Sequence, residues 1–182
     1  MKAFAYINRY TNKYISFVNP RFNNRMHGIV TFEQFLDFIR VSFEIFGLTD
    51  GLHGFHIHEK PLTLAGLHLA ADSSPCKECC SHFNGDIPIL SENNPDGTPH
   101  GLHLGDLCFN IQSIDGVAIG TFDDHNLSII PGRNNNIVGR SIVIHADQDD
   151  MGIVGDDVGD NIESLITGNA GDRVACANIY YY

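Results

Sequence analysis

The sequence predicts an all-β protein, and three observations support this fold class. Short runs of β-branched and aromatic residues are separated by clusters of Gly, Asn, Asp and Pro, which are turn-forming residues. Val41–Ile45 alternates apolar and polar side chains with the period of two that a half-buried strand has. Asp115 and Gly116 form a turn dipeptide between two such runs, which is typical of antiparallel strands.

The apolar runs give a series of candidate strands in chain order. The first two, Ala3–Ile7 and Tyr14–Val18, are predicted to form a hairpin around residues 8–13. The later candidates are Gly28–Phe32, Val41–Ile45, Phe55–His58, Cys108–Ile111, Val117–Phe122 and Arg140–His145. Residues 32–45 have an alternative interpretation as a helix, because helical spacing relates Phe32, Phe35, Leu36 and Ile39.

Length and composition indicate one globular domain spanning residues 1–182. Apolar residues make up 43% of the chain and charged residues 18%, which is typical of a folded protein rather than a disordered one. The formal net charge of -11 disfavours nucleic acid and an anionic membrane as partners, since both attract basic proteins. Met1–Phe17 lacks the uninterrupted apolar segment of a signal peptide, so a cytoplasmic location is predicted.

Two long segments, Glu59–Leu104 and Ala146–Gly171, are predicted to be loops because they are rich in Gly and polar residues. Loops of this length in a compact domain are usually functional or disordered, and the histidines and cysteines found here favour function. The chain has five cysteines, an odd number. In a reducing compartment the default state of each is a thiol or a metal ligand.

The histidine pattern indicates a first metal site on a strand. His56 and His58 are two positions apart, so both rings lie on one face of the strand while Phe55 and Ile57 face the core. His145 ends another candidate strand, on the face opposite its apolar neighbours. A set of ligands composed of imidazoles suits copper.

A second cluster, formed by His100, His103 and Asp106, indicates a zinc site. Two imidazoles and a carboxylate at short spacing suit zinc, which needs one more ligand to complete a tetrahedron. His82 lies between the two clusters in sequence and could supply that ligand.

Several segments resemble the signature segments of the copper/zinc superoxide dismutase family. They are Gly51–Glu59, Ser81–Asn84, His103–Asp106, Gly139–His145 and Thr167–Cys176, with Gly28–Gln34 and Gly47–Asp50 extending the likeness toward the N-terminus. The resemblance implies an eight-stranded Greek-key β-barrel, flattened into a sandwich, with long metal-binding and electrostatic loops. It also implies a homodimer, superoxide as the substrate, and delivery of copper by a chaperone protein.

The same resemblance assigns the metal ligands. Copper would be held by four histidines, namely His56, His58, His82 and His145. Zinc would be held by His82, His100, His103 and Asp106. His82 would therefore bridge the two metals and would carry a proton during catalysis.

Four further residues match family positions. Arg173 matches the catalytic arginine that attracts and orients superoxide. Asp149 matches the aspartate that links a copper histidine to a zinc histidine and fixes both rings. Cys76 and Cys176 match the family's intrasubunit disulfide, which would tie the long metal-binding loop to the barrel.

The zinc loop departs from the family pattern. The family spaces its zinc histidines evenly, whereas here the gap before His100 is long and the gap from His100 to His103 is short. If His100 does not bind the metal, its candidate replacements are Asp86, Glu92 and Asp96.

Two functions without catalysis stay open at this stage. One is a metal-binding or chaperone-interacting homologue that has lost activity, and the other is a copper or zinc storage protein. The chain retains Arg173 together with all four candidate copper ligands. A storage protein needs no anion-guiding arginine, so this combination favours an enzyme.

Overall fold

A computed structural model of the chain describes residues 1–8, 16–19, 21, 25–64, 75–85, 103–107, 110–152 and 162–182. The described residues form two sheets of five strands, in which all strand pairs are antiparallel. The strands are β1 (Lys2–Ile7), β2 (Ser16–Val18), β3 (His27–Gln34), β4 (Ile39–Phe46), β5 (Gly51–His58), β6 (Asn110–Ser113), β7 (Val117–Asp124), β8 (Ser141–His145), β9 (Arg173–Asn178) and β10 (Tyr180–Tyr181).

The two sheets enclose one apolar core. The strand order is β10-β1-β3-β4-β7 in the first sheet and β2-β9-β8-β5-β6 in the second. Phe32 and Ile39 from the first sheet meet Phe55 and Ile142 from the second, and all four side chains are fully buried. The all-β prediction is confirmed, and the architecture is consistent with a flattened β-barrel. The two shortest strands, β2 and β10, lie at sheet edges.

The predicted hairpin between the first two strands is wrong. β1 pairs with β3 and β10, whereas β2 pairs with β9 in the opposite sheet. Ala5 of β1 and Val18 of β2 are both buried in the core, one from each side. A hairpin would place both strands in one sheet. Instead each strand covers the core from a different sheet, so the burial of their apolar side chains decides the pairing rather than their closeness in sequence.

The alternative helix over residues 32–45 is not observed. β3 ends at Gln34 and β4 begins at Ile39, so the intervening residues form the turn of a β-hairpin. Leu36 is 90% exposed at this turn. Apolar residues in a turn produce helical spacing by accident, whereas Val41 and Ile45 are fully buried with the strand period.

The last two strands were absent from the sequence-based series. Val174–Ala177 of β9 is buried on both faces, so its small and apolar residues lack the alternation that marks a strand with one exposed face. In the second predicted loop the structure places a short helix, α1 (Ile162–Thr167). Residues 65–74, 86–102 and 153–161 of the two predicted loops lie outside the described residues.

The predicted disulfide is confirmed. Cys76 lies in a 3-10 helix, Pro75–Cys79, and bonds to Cys176 of β9 with their Cα atoms 5.7 Å apart. Leu62 and Val143 pack around this bond in a small buried cluster. The cross-link fixes the first of the two predicted loops to the second sheet. Within the described part of the chain, no helix is long and apolar enough to cross a membrane.

Candidate metal centre

Adjacent strands of the second sheet bring three histidines together. β5 pairs with β8 so that His56 lies opposite Val143 and His58 opposite Ser141. His145 lies at the end of β8, where an irregularity in the pairing with β9 occurs between Ile144 and His145. Such irregularities redirect a side chain from the regular pleat. The adjacent Phe55 and Ile57 are in the core, as the strand alternation predicts.

The fourth histidine comes from the long loop. His82 forms an isolated antiparallel bridge with His58, which holds the loop against the end of β5. One ligand atom from each of His56, His58, His82 and His145 lies within 4.8 Å of the others, and all four residues are buried. The ring centroids of His56 and His82 are 4.2 Å apart, and those of His56 and His145 are 4.9 Å apart.

Hydrogen bonds fix which ring nitrogen of three histidines faces the centre of this group. His56 Nε2 donates to Asp149 Oδ2 at 2.6 Å, and His58 Nδ1 donates to the Cys80 carbonyl at 2.8 Å. His145 Nδ1 lies 3.2 Å from the Gly171 carbonyl. Because carbonyl and carboxylate oxygens accept hydrogen bonds, the ring nitrogen facing them carries the hydrogen and the opposite nitrogen of each ring presents a lone pair.

The donor set fits a copper ion. Nε2 of His58 and Nε2 of His145 are buried and have no hydrogen-bond partner among the described residues. A buried polar atom without a partner is costly unless a ligand satisfies it. A metal ion bound by imidazole lone pairs satisfies both atoms at once, and histidine-rich sites suit copper.

Burial keeps the ligands neutral. Loss of solvation lowers the pKa of His58 well below its ordinary value, and the nearby positive charge of Arg173 lowers it further. Burial likewise lowers the pKa of His145, with smaller contributions from neighbouring histidines. A neutral imidazole is the form that binds metal ions, so the pocket is prepared for a cation at neutral pH.

A second group shares His82 with the first. The ligand atoms of His82, His103 and Asp106 lie within 4.8 Å of one another. His82 Nδ1 lies 2.6 Å from Asp106 Oδ1, and His103 Nδ1 lies 3.1 Å from Asp106 Oδ2. Gly105 allows this arrangement, because a Cβ there would collide with the carbonyl of Ile57. Two imidazoles and a carboxylate around one point fit zinc.

The remaining predicted zinc ligand, His100, lies outside the described residues, as do Asp86, Glu92 and Asp96. The described part of the chain therefore supplies three of the four predicted zinc ligands.

Comparison with known proteins identifies the family. A family model described as copper/zinc superoxide dismutase (SODC) matches residues 26–179. The chain belongs to the copper/zinc superoxide dismutase family. The family consists of oxidoreductases, so the chain is an enzyme of this class and its metals are copper and zinc.

Individual relatives come from several organisms. An extracellular superoxide dismutase (Cu-Zn) of Brugia pahangi is 39% identical over 155 residues, covering 85% of this chain and 69% of the relative. Superoxide dismutase (Cu-Zn) A of Xenopus laevis is 40% identical over 155 residues, covering 84% of this chain and 87% of the relative. The superoxide dismutase (Cu-Zn) of Paramecium bursaria Chlorella virus 1 is 39% identical over 163 residues, covering 85% of this chain and 72% of the relative.

A solved structure shares the fold but has a different description. The crystal structure of the clock protein EA4 is 28% identical and has a TM-score of 0.70, covering 100% of this chain and 94% of the other. The superoxide dismutase fold therefore occurs in a protein that is described by another role. Activity has to be argued from the site rather than from the fold alone.

In this superoxide dismutase family member, Arg173 is held at the edge of the histidine group. Its Nη1 donates to the Cys76 carbonyl and its Nη2 to the Cys80 carbonyl, each at 2.7 Å. The Cys80 carbonyl also accepts from His58. Partial burial lowers the pKa of Arg173, but a guanidinium stays charged in proteins. One carbonyl thus joins the arginine to a candidate copper ligand.

The structure assigns supporting roles that the sequence reasoning missed. The side chain of Asn110 of β6 holds the backbone of Asp149 with two hydrogen bonds. Its Nδ2 donates to the Asp149 carbonyl, and its Oδ1 accepts from the Asp149 amide. Gly54 leaves room for His56, since a Cβ at that position would press on the ring. Cys80 acts through its carbonyl, and backbone carbonyls leave no residue-specific signal in a sequence.

Acidification is expected to destabilise the metal-free protein below about pH 6.5. The folded-state pKa values of His58 and His145 lie below the ordinary value of 6.5, so the unfolded chain binds more protons than the folded chain in acid. Their contribution to stability is complete above that pH and is lost as the pH falls toward the folded values. Urea unfolding at several pH values between 7.5 and 5 measures this loss.

The matched variant for this measurement replaces both rings, His58→Gln with His145→Gln. Its free energy of unfolding should decline less steeply with acid than that of the original chain. Equal slopes in the two proteins would show that these rings are not the source of the pH dependence.

Proposed function

We propose that the chain disproportionates superoxide to oxygen and hydrogen peroxide. The observation that carries this proposal is the group of four buried histidines that shares one ring with the second group. The proposed copper ligands are His56, His58, His82 and His145, and the proposed zinc ligands are His82, His100, His103 and Asp106. Copper held by the first group would supply the one-electron redox chemistry that disproportionation requires.

Arg173 is proposed to collect and orient the anionic substrate. The chain has a formal net charge of -11, so its average field repels superoxide. A local guanidinium beside the metal-binding rings converts the mouth of the site into an attractive region. The two hydrogen bonds of Arg173 to the loop carbonyls of Cys76 and Cys80 hold it at that position.

His82 is proposed to bridge the metals and to carry a proton. Its Nδ1 faces Asp106, which leaves Nε2 on the side of the other three histidines. A ring fixed on one nitrogen and able to hold a proton on the other can deliver that proton to reduced substrate. Asp149 is proposed to fix the His56 ring through its 2.6 Å contact, and to reach a zinc histidine on its other side.

The decisive experiment is an assay of superoxide dismutation on protein loaded with copper and zinc, with the metal content determined on the same sample. Rapid turnover with about one copper per chain supports the proposal. Full copper occupancy with turnover no faster than the spontaneous reaction would instead support the inactive metal-binding homologue. A zinc content near one per chain would support the proposed zinc ligand set.

Replacing Arg173 with alanine is expected to lower kcat/KM by about tenfold or more, because the positive charge at the site is lost. Copper content should stay unchanged, since no copper ligand is altered. The Arg173→Lys variant keeps the charge but cannot bond both carbonyls, so an intermediate rate is expected. Equal rates for the alanine variant and the original chain would remove Arg173 from the mechanism.

We further propose that residues 1–182 form a single domain that assembles as a homodimer and receives copper from a chaperone protein. These proposals rest on the family resemblance. Sedimentation analysis of the metal-loaded protein tests the dimer, and copper loading with and without a chaperone tests the delivery route. A cytoplasmic location also stays a prediction, because one relative is named an extracellular enzyme.

A further inference from the structure

A third cysteine, Cys79, lies beside the disulfide and has no part in the proposed metal chemistry. It is a free thiol and it is fully buried. Cys76, Cys79 and Cys176 belong to one packed cluster that also contains Leu62 and Val143. Two bonded sulfurs and one thiol therefore belong to the same buried cluster.

The helix type places Cys79 one turn after Cys76. Cys76 and Cys79 are three residues apart in a 3-10 helix, in which positions i and i+3 lie directly above each other. With three residues per turn and a rise of about 2 Å per residue, their Cα atoms are roughly 6 Å apart. Disulfides span Cα distances of about 4.4–6.8 Å, so both Cys176 and Cys79 lie within reach of Cys76.

We propose that the chain carries out an internal thiol–disulfide exchange in which Cys79 displaces Cys176 from Cys76. The Cys79 thiolate attacks Sγ of Cys76, a Cys76–Cys79 bond forms, and the Cys76–Cys176 bond breaks. Cys176 leaves as a thiolate and takes up the proton that Cys79 gave up. The number of disulfides is unchanged, so no oxidant or reductant is consumed.

Exchange of this kind is slow in the folded protein. Burial raises the pKa of Cys79, which keeps most of it in the unreactive thiol form. Uncatalysed disulfide rearrangements in proteins take minutes to hours. The original bond therefore persists during catalysis, and the alternative bond forms on a much longer timescale.

The exchange would weaken the contacts that align Arg173, the arginine proposed to orient superoxide. Cys176 and Arg173 both belong to β9, and Arg173 is hydrogen-bonded to the carbonyls of Cys76 and Cys80. In the original state the disulfide holds those carbonyls against β9. Once Cys176 is released, the loop loses that covalent attachment, and the alignment of Arg173 depends on weaker contacts. Exchanged molecules should therefore turn over superoxide more slowly.

The test traps the two isomers in the metal-loaded, full-length protein. Samples incubated for hours without reductant are quenched in acid, unfolded, alkylated at low pH and analysed by peptide mass spectrometry. In the original chain, alkylated Cys176 should accompany a Cys76–Cys79 linkage. The alkylated fraction of Cys176 should be about tenfold or more above that in Cys79→Ala, in which the attacking thiol is missing.

Two further variants make the test decisive. Cys80→Ser keeps Cys79 and should behave like the original chain, so loss of exchange in Cys80→Ser rather than in Cys79→Ala would overturn the proposal. Cys176→Ala should form the Cys76–Cys79 bond in a glutathione redox buffer. Failure to form that bond, or equal Cys176 alkylation with and without Cys79, would also overturn it.

Discussion

Replacing His145 with asparagine is expected to lower copper affinity by roughly a hundredfold or more. Copper content and turnover should therefore fall together. Loss of a partner that merely orients a ligand lowers metal affinity by about 10- to 100-fold, so loss of a ligand should do at least as much. His145 Nε2 is buried and aimed at the group of four histidines, and an asparagine amide cannot reproduce that lone pair. Copper titration and the dismutation assay on the same preparation measure both effects.

The companion variant is His103→Asn in the second group. His103 shares Asp106 with His82 but is not part of the four-histidine group, so this change should lower zinc content while copper still binds. His125→Asn is the matched control, because that ring lies in an exposed turn against the Asp37 carbonyl. Equal copper loss in the His145 and His125 variants would contradict the proposed ligand set.

The sequence predicted which histidines the structure brings together better than it predicted strand pairing, because histidine spacing along a strand is a local pattern whereas strand pairing is not. His56 and His58 sit two apart on a strand, so local alternation alone places both rings on one face. His145 was placed by its position at the end of another candidate strand, whereas the assignment of His82 to both metals came from a resemblance that covers long, ordered segments. By contrast, β2 pairs with β9, which is distant in sequence, and no local pattern near Tyr14–Val18 indicates that partner.

Other features escaped the sequence because they depend on backbone atoms or on chain packing. The backbone carbonyl of Cys80 accepts hydrogen bonds from both His58 and Arg173, and this role does not depend on the cysteine side chain. Cys80 itself has a φ of 63°, a conformation that is uncommon for a residue with a Cβ. The match of Cys76 with Cys176, in contrast, followed from the resemblance and is confirmed by the bond in the structure.

Removing the disulfide is expected to lower the free energy of unfolding by about 4 kcal/mol. The bond joins residues separated by 100 positions, and a cross-link that closes a long loop removes much of the conformational freedom of the unfolded chain. The double variant Cys76→Ala/Cys176→Ala tests this without leaving a partner for Cys79. Urea unfolding of both metal-free proteins measures the difference, since bound metal adds its own contribution to stability.

The control for that measurement is Cys79→Ala, which removes a buried sulfur from the same cluster but leaves the disulfide in place. It should lower stability by only about 1 kcal/mol, because only a small side-chain volume is lost. If the double variant matched this control, the bond would contribute little stability, and its main effect would be to hold the loop carbonyls that align Arg173. Comparing kcat/KM of the metal-loaded double variant with and without Arg173→Ala then separates the two roles. If the bond only stabilises the fold, Arg173→Ala should lower kcat/KM in the double variant as much as it does in the original chain.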